Sequence, residues 1–234
     1  MATRELLLER PFDLRRTLVI HLRGTGDPTM RVAPGRVVRA TRTPDGPATI
    51  ELVQHRDRIA IETWGPGAER LLAAAPALLG LDDDRFGFEP GRHRLVADLD
   101  RHHPGIRIGR TGAVLEALIP AILEQKVTGT EAWRGLRGLI RQWGEPAPGP
   151  FGLRLLPQPA AIAAIPYHAF HPLGIERRRA DLVRRVADRA IRFEEIADLP
   201  PDQAAARLTA LPGIGPWTAA EVSLRALGDA DAVS

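Results

Sequence analysis

From Leu208 the sequence reads LTALPGIGPWTAAEVSLRALGDADAVS, to Ser234. Within it a Gly-Ile-Gly link joins two apolar runs, and its residue types suit the holding of an anion. Leu208 to Leu211 should close one helix, and Pro216 should open the next, because its fixed φ and missing N–H fit a first helical position. Gly213 and Gly215 let the link adopt positive φ and keep side chains away from an approaching backbone. The free amides of the link and of the following first turn then point outward and suit a phosphate. An ordinary tight connection between antiparallel helices uses the same residues for geometry alone.

Other groupings are weaker. Tyr167, His168 and His171 in YHAFH, and Arg101, His102 and His103, could be read as metal ligands, but no matching third ligand is evident. Asp82 to Asp84 read as a solvated loop or helix cap. In the helix expected from Glu176, Arg177, Arg178, Arg184 and Arg185 either reach phosphates or form a solvated face. No Walker-type loop, dinucleotide fingerprint or nucleophile–base pair is present. With no cysteine in 234 residues, disulfides, thiolate zinc sites and cysteine-held clusters are excluded.

The formal charge is +3, yet the pI is about 10.3, because Lys126 is the only lysine among 32 lysines and arginines. Arginine forks suit phosphate oxygens, which hints at nucleic acid. A composition driven by a GC-rich genome gives the same bias. The start, MATRELLLERPFDL, is far short of a signal peptide's apolar core, and LLAAAPALLGL is too short to span a bilayer. A soluble cytoplasmic protein is the expectation.

The elements that must position the link fall in two regions. RTLVIHL, RVVRAT, ATIELVQH and RIAIETW are rich in Val, Ile and Thr and separated by turn signals, predicting a small antiparallel sheet. After Gly67 helical spacing takes over. Val114, Leu115, Leu118, Ile119, Ile122 and Leu123 form a wide apolar stripe, with Pro120 predicting a kink or a fresh start. EPAPGPFG reads as a linker within the helical part. In ERRRADLVRRVADRAI, Leu182, Val183, Val186, Ala190 and Ile191 should face inward.

LPGIGPWTA followed by DAVS resembles the helix–hairpin–helix motif and the run-up to the catalytic loop of the helix–hairpin–helix DNA glycosylases. RPFDLRRTLVIHL, RHHPGIRI, AILEQKVTG and PLGIERRRADLV resemble successive segments of one branch, the bacterial 3-methyladenine DNA glycosylases of type II. The resemblance implies an α+β fold: an N-terminal domain over 1–105 with a small antiparallel sheet, then an all-α glycosylase core over 106–234. The motif would lie at 205–227, in a core cut short at its C-terminal end.

It also implies a function: base excision repair by a monofunctional hydrolase that flips an alkylated purine out of duplex DNA and breaks its N-glycosidic bond. Leu211, Gly213, Ile214, Gly215 and Thr218 would hold DNA without reading bases. Gln125 and Lys126 match the pair that fills the emptied stack, although the family wedge is often a large apolar residue. Trp217 matches a tryptophan that stacks on the flipped base, and an indole face attracts a cationic methylated purine by about 0.5–2 kcal/mol. Strand-cleaving relatives carry a Schiff-base lysine at that place. Glu221, one turn on, lies where relatives may place an aromatic; it either adds negative charge to the pocket or is a solvated glutamate. The catalytic aspartate falls about three residues after Ser234, and neither Asp229 nor Asp231 takes its place. The expected partner is damaged double-stranded DNA, bound by a monomer at the nucleoid, with no cofactor beyond a monovalent cation at the hairpin. Two alternatives stand beside this reading: a non-catalytic DNA-binding module, motivated by the missing aspartate, and a protein-interaction bundle with a coincidental hairpin.

Overall fold

The structure, a computed structural model, describes residues 1–82 and 87–233. Asp83 and Asp84 of the acidic run lie outside the described residues. Five strands, β1 (Ala2–Leu7), β2 (Met30–Ala33), β3 (Arg36–Thr43), β4 (Gly46–Gln54) and β5 (Arg58–Trp64), form one antiparallel sheet in the order β1-β5-β4-β3-β2. The helices follow in two groups. α1 (Leu14–Leu18), α2 (Ala68–Leu78) and α3 (Arg94–His102) accompany the sheet. α4 (Val114–Leu123), α5 (Gly129–Trp143), α6 (Pro159–Ala164), α7 (Tyr167–Phe170), α8 (Arg177–Asp188), α9 (Ala190–Glu194), α10 (Pro201–Thr209) and α11 (Pro216–Val222) make the helical part. The α+β class expected from sequence is the one observed.

Three of the four expected strands form. RTLVIHL does not: its first residues belong to α1, and Val19–His21 make a single 3-10 turn. The Asp13 side chain accepts from the Arg16 amide at 2.8 Å and caps α1. Leu14, Thr17 and Leu18 are buried at spacings of three and four, a helical period that the β-branched residues masked. The missed strands are β1, at one sheet edge, and the short β2 at the other.

Alternation along β4 buries Ala48, Ile50 and Leu52 on one face, where α1 and α2 supply Leu14, Leu18, Leu71, Ala75, Leu78 and Leu79. On the opposite face Val38 and Ala40 of β3 meet Leu153 and Leu155. EPAPGPFG is therefore a strap across the sheet rather than a linker within the helices. The Ala147 amide donates to Leu153 O at 2.9 Å, and Phe151 stands edge-on to Trp64 with ring centroids 4.9 Å apart.

α4 is the centre of the helical part. Every residue from Val114 to Leu123 is buried except Glu116, so the expected stripe is an all-round apolar surface enclosed by α5, α8, α9 and α11. The helix continues through Pro120 to Leu123 rather than starting afresh there. The inward reading of Ile191 is also corrected, since it is 78% exposed. α8 stops at Asp188, the chain turns at Arg189 (φ −108°, ψ 24°), and α9 starts in a new phase that buries Phe193 instead.

Where sheet and helices meet, arginines of one part engage carboxylates of the other. Arg39 donates to Glu116 at 2.6 Å, while the Thr41 hydroxyl and the Arg42 amide reach the same carboxylate at 2.9 Å. Arg23 donates to Glu124 at 2.9 Å, and Trp133 Nε1 donates to that carboxylate at 3.0 Å. A cavity of about 50 Å³ lies in this seam, lined among others by His21, Arg23, Arg39, Glu116 and Arg225. Nε2 of His21 is buried there without a hydrogen-bond partner among the described residues.

Burial, followed by Arg39, Arg23 and Arg225, lowers the His21 pKa from the usual 6.5 to about 3. Below pH 6.5 the unfolded chain takes up a proton that the folded chain refuses until about pH 3. The His21 contribution to stability is therefore complete above 6.5 and falls by about 1.4 kcal/mol per pH unit within that window. Urea unfolding at pH 7, 6 and 5 should show this slope, and His21→Asn should flatten it by about one proton.

Candidate nucleic-acid interface

α10, the link and α11 form a helix–hairpin–helix. Pro216 is the first residue of α11, as the sequence predicts, and buried Ile214 roots the link in the helical core. The Ile214 amide donates to Leu211 O at 3.0 Å and closes the turn, with Leu211 half-buried beneath it. Gly213 has φ +106°, which glycine adopts without strain, and an added Cβ there would meet Leu182 Cδ2 at 3.0 Å.

Gly215 differs from the expectation. Its φ of −94° and ψ of 178° are extended backbone open to any residue, so positive φ does not explain it. An added Cβ would meet nothing within 4 Å, which leaves absence of a side chain at an outward-facing surface as its physical effect. The amides of Gly213, Gly215, Trp217 and Thr218 have no acceptor among the described residues, and that of Ala219 donates to Gly215 O at 3.0 Å.

Two side chains tie the hairpin to the rest of the core. Gln125, just past the end of α4, donates through Nε2 to Gly213 O and to the Thr218 hydroxyl, both at 3.0 Å. Arg185 donates to Pro212 O at 3.0 Å. The arginines of α8 thus divide: Arg185 holds the hairpin, Arg184 donates to Ala163 O at 3.2 Å, and Arg177 lies 5.4 Å from the Tyr167 ring centre.

Lys126 follows Gln125, exposed, with φ +57°, the only positive φ outside glycine among the described residues. Trp217 is 40% exposed beside the hairpin, so its indole is not enclosed between helices. Glu221 is neither solvated nor free: it is buried and ion-paired with Arg225, whose Nε donates to Ile20 O at 3.2 Å. The structure thus ties Gln125 to Gly213 and to buried Thr218, with Lys126 and Trp217 exposed at the adjoining positions. It keeps Glu221 buried.

Two positioning residues escaped the sequence reading. Buried Arg179 donates to Leu123 O at 2.7 Å and satisfies the C-terminal end of α4. Its spacing of three and four from Leu182 and Val183 marked it as inward-facing. Glu194 accepts from the Val114 and Leu115 amides at 2.9 and 3.0 Å and caps the other end. Burial raises the Glu194 pKa, with those two amides opposing. Nothing local in the sequence links Glu194 to α4, 80 residues away. Among the described residues no three His, Asp or Glu side chains gather as a metal site.

No protein-family model matches the chain. In structure it is similar to the 3-methyladenine DNA-glycosylase from Archaeoglobus fulgidus, with a TM-score of 0.79 and 20% identity over 96% of this chain and 80% of that one. A DNA-bound 8-oxoguanine glycosylase/lyase from Clostridium acetobutylicum superposes with a TM-score of 0.63 and 16% identity, over 86% of this chain and 79% of that one. The fold is that of the helix–hairpin–helix DNA glycosylases. In sequence the chain is 30% identical over 225 residues to the "probable bifunctional transcriptional activator/DNA repair enzyme AlkA" of Mycobacterium tuberculosis strain H37Rv. That match takes in 91% of this chain and 44% of the relative, so the chain spans less than half the length of the curated relatives it matches.

The two ends of α4 should respond differently to truncation. Glu194→Ala leaves two buried amides unpaired and should cost about 1–3 kcal/mol of global stability, read as a lowered Tm. Gln125→Ala should change Tm little, while hydrogen exchange at Gly213 to Thr218 accelerates.

Proposed function

We propose that this chain is the DNA-binding and base-recognising part of an alkylation-repair glycosylase that removes cationic methylated purines of the 3-methyladenine type. The observation that carries the reading is the joining of the bare hairpin, with exposed Trp217, to the Gln125–Lys126 turn, on a fold common to DNA glycosylases. Hairpin amides hold a phosphate beside the lesion, Lys126 enters the emptied stack on its long apolar stem, and the extruded base stacks on Trp217. The positive charge on a methylated purine distinguishes it from a normal base at that indole face.

Cleavage of the N-glycosidic bond builds positive charge on the sugar, which a fixed carboxylate stabilises while helping to activate water. By resemblance this is an aspartate, a role assigned to no carboxylate among the described residues. Trp217 occupies the place of the strand-cleaving lysine, so hydrolysis leaves an abasic sugar. A division into 1–105 and 106–234, a monomeric state and a monovalent cation at the hairpin belong to the same proposal. The Pro212 and Gly213 carbonyls each already accept one side-chain donor, so such a cation would share them. No step depends on it.

A second reading, DNA binding without excision, is favoured by two carboxylates downstream of Trp217 in the chain that already hold partners. Glu221 is paired with Arg225, and Asp229 Oδ1 accepts the Asp231 amide at 3.1 Å. The 234-residue chain, given alkylated duplex DNA, distinguishes the two: release of free methylated purine supports excision, and salt-sensitive binding without release supports the second reading. Trp217→Ala should lower release, or preference for alkylated over unmodified duplex, by about tenfold, within the range of cation–π energies. Binding that ignores salt would overturn both readings.

A further inference from the structure

The cavity between sheet and helices is richer in hydrogen-bond donors than in free acceptors. Of the arginines that line it, Arg23 donates from Nη1 to Glu124 and Arg39 from Nη2 to Glu116. Arg225 donates from Nη1 to Glu221 and from Nε to Ile20 O. A guanidinium carries five N–H groups, so each of the three keeps some with no acceptor among the described residues. Glu116, the carboxylate of the lining, already accepts from Arg39, the Thr41 hydroxyl and the Arg42 amide.

Three guanidiniums against one carboxylate also make the cavity positive. The effect is visible at His21, whose pKa is pushed down first by burial and then by Arg39, Arg23 and Arg225. The imidazole is therefore neutral at pH 7, and with its proton on Nε2 it offers one more donor without adding charge. Space is short. A water takes about 10–15 Å³ of such a cavity, so about 50 Å³ admits a small ion with a water or two and no organic ligand. Water alone suits these donors poorly, because each molecule brings two hydrogens that need acceptors of their own. A halide accepts from every side and donates nothing.

We propose that this cavity binds one chloride ion, held by Nε2–H of His21 and by N–H groups of Arg23, Arg39 and Arg225. The three cations offset the loss of the ion's hydration, and the ion relieves their mutual repulsion. It joins His21 and Arg23, which precede β2, to Arg39 on β3 and to Arg225 beyond α11, and so clamps the sheet to the helices. Through Arg225 it also supports Glu221, one helical turn from Trp217. Nothing in this inference depends on the glycosylase reading.

The test compares the 234-residue chain in sodium gluconate, chloride and bromide at pH 7 and one sodium concentration, which holds general screening constant. Gluconate is too large for the cavity. In urea unfolding the folded-to-unfolded ratio should rise with halide, by about tenfold where free halide is ten times its Kd. Crystals grown in bromide should carry an anomalous peak within hydrogen-bond reach of His21 Nε2. His21→Leu removes the neutral donor, leaves the arginines in place, and should weaken halide binding at least tenfold. If that variant does not fold, the wild-type titration and the bromide peak decide. Equal stability in the three salts overturns the proposal, as does halide stabilisation with no peak in the cavity or unchanged in His21→Leu. A peak without stabilisation in solution marks an adventitious ion only and overturns it as well.

Discussion

α4 is buried on every side, and a helix so enclosed has nowhere to turn its unpaired end groups except to other parts of the same chain. Water cannot satisfy the Val114 and Leu115 amides, so Glu194 does. Nor can it reach Leu123 O, which takes Arg179 from α8. Glu116, the one polar side chain on the helix, faces the sheet and gathers Arg39, Thr41 and the Arg42 amide. Each partner comes from a different element, so satisfying one helix also fixes the positions of α8, α9 and the sheet relative to it.

The candidate site inherits that rigidity. Gln125 lies two residues past Leu123, whose carbonyl Arg179 holds, and its amide group spans to Gly213 and Thr218. The hairpin is thus positioned by a buried helix rather than by its own loop. A phosphate grip on a flexible loop would lose affinity to the entropy of ordering it. Here the order is already present. The carbonyls of Pro212 and Gly213 are tied inward by Arg185 and Gln125, which leaves the link's unpaired amides as its outward polar groups.

The hairpin was legible in sequence because proline and glycine act locally: Pro216 at a first helical position and Gly213 at positive φ follow from their own covalent structure. The sheet was legible in β3, β4 and β5, where alternation is regular, but not in RTLVIHL, whose Val and Ile suggest a strand while its buried residues follow a helical period. β1 was missed because edge pairing with β5 leaves four of its six residues exposed, and alternation is weak there. Gly215 was read as needing positive φ, which its extended backbone does not show. Glu221, Arg179 and Glu194 were out of reach for another cause: their roles are set by partners contributed through packing, which no window of sequence displays.

The same pairing bears on charge. A pI near 10.3 invites a surface of positive potential, yet Arg23, Arg39, Arg42 and Arg225 engage Glu124, Glu116, Glu145 and Glu221 within the fold. These arginines cement the seam between sheet and helices, where a guanidinium fork can satisfy carboxylate and carbonyl together, as Arg42 does with Glu145 and Leu156 O. Composition therefore overstates the field available to a polyanion. What remains at the hairpin is a short-range attraction from oriented amides, which falls off within a turn of the helix and is effective only when a phosphate sits against Gly213 and Gly215. In the proposed phosphate grip a glycine at 215 serves electrostatics before conformation, because a Cβ added there would stand in the open space beside those amides.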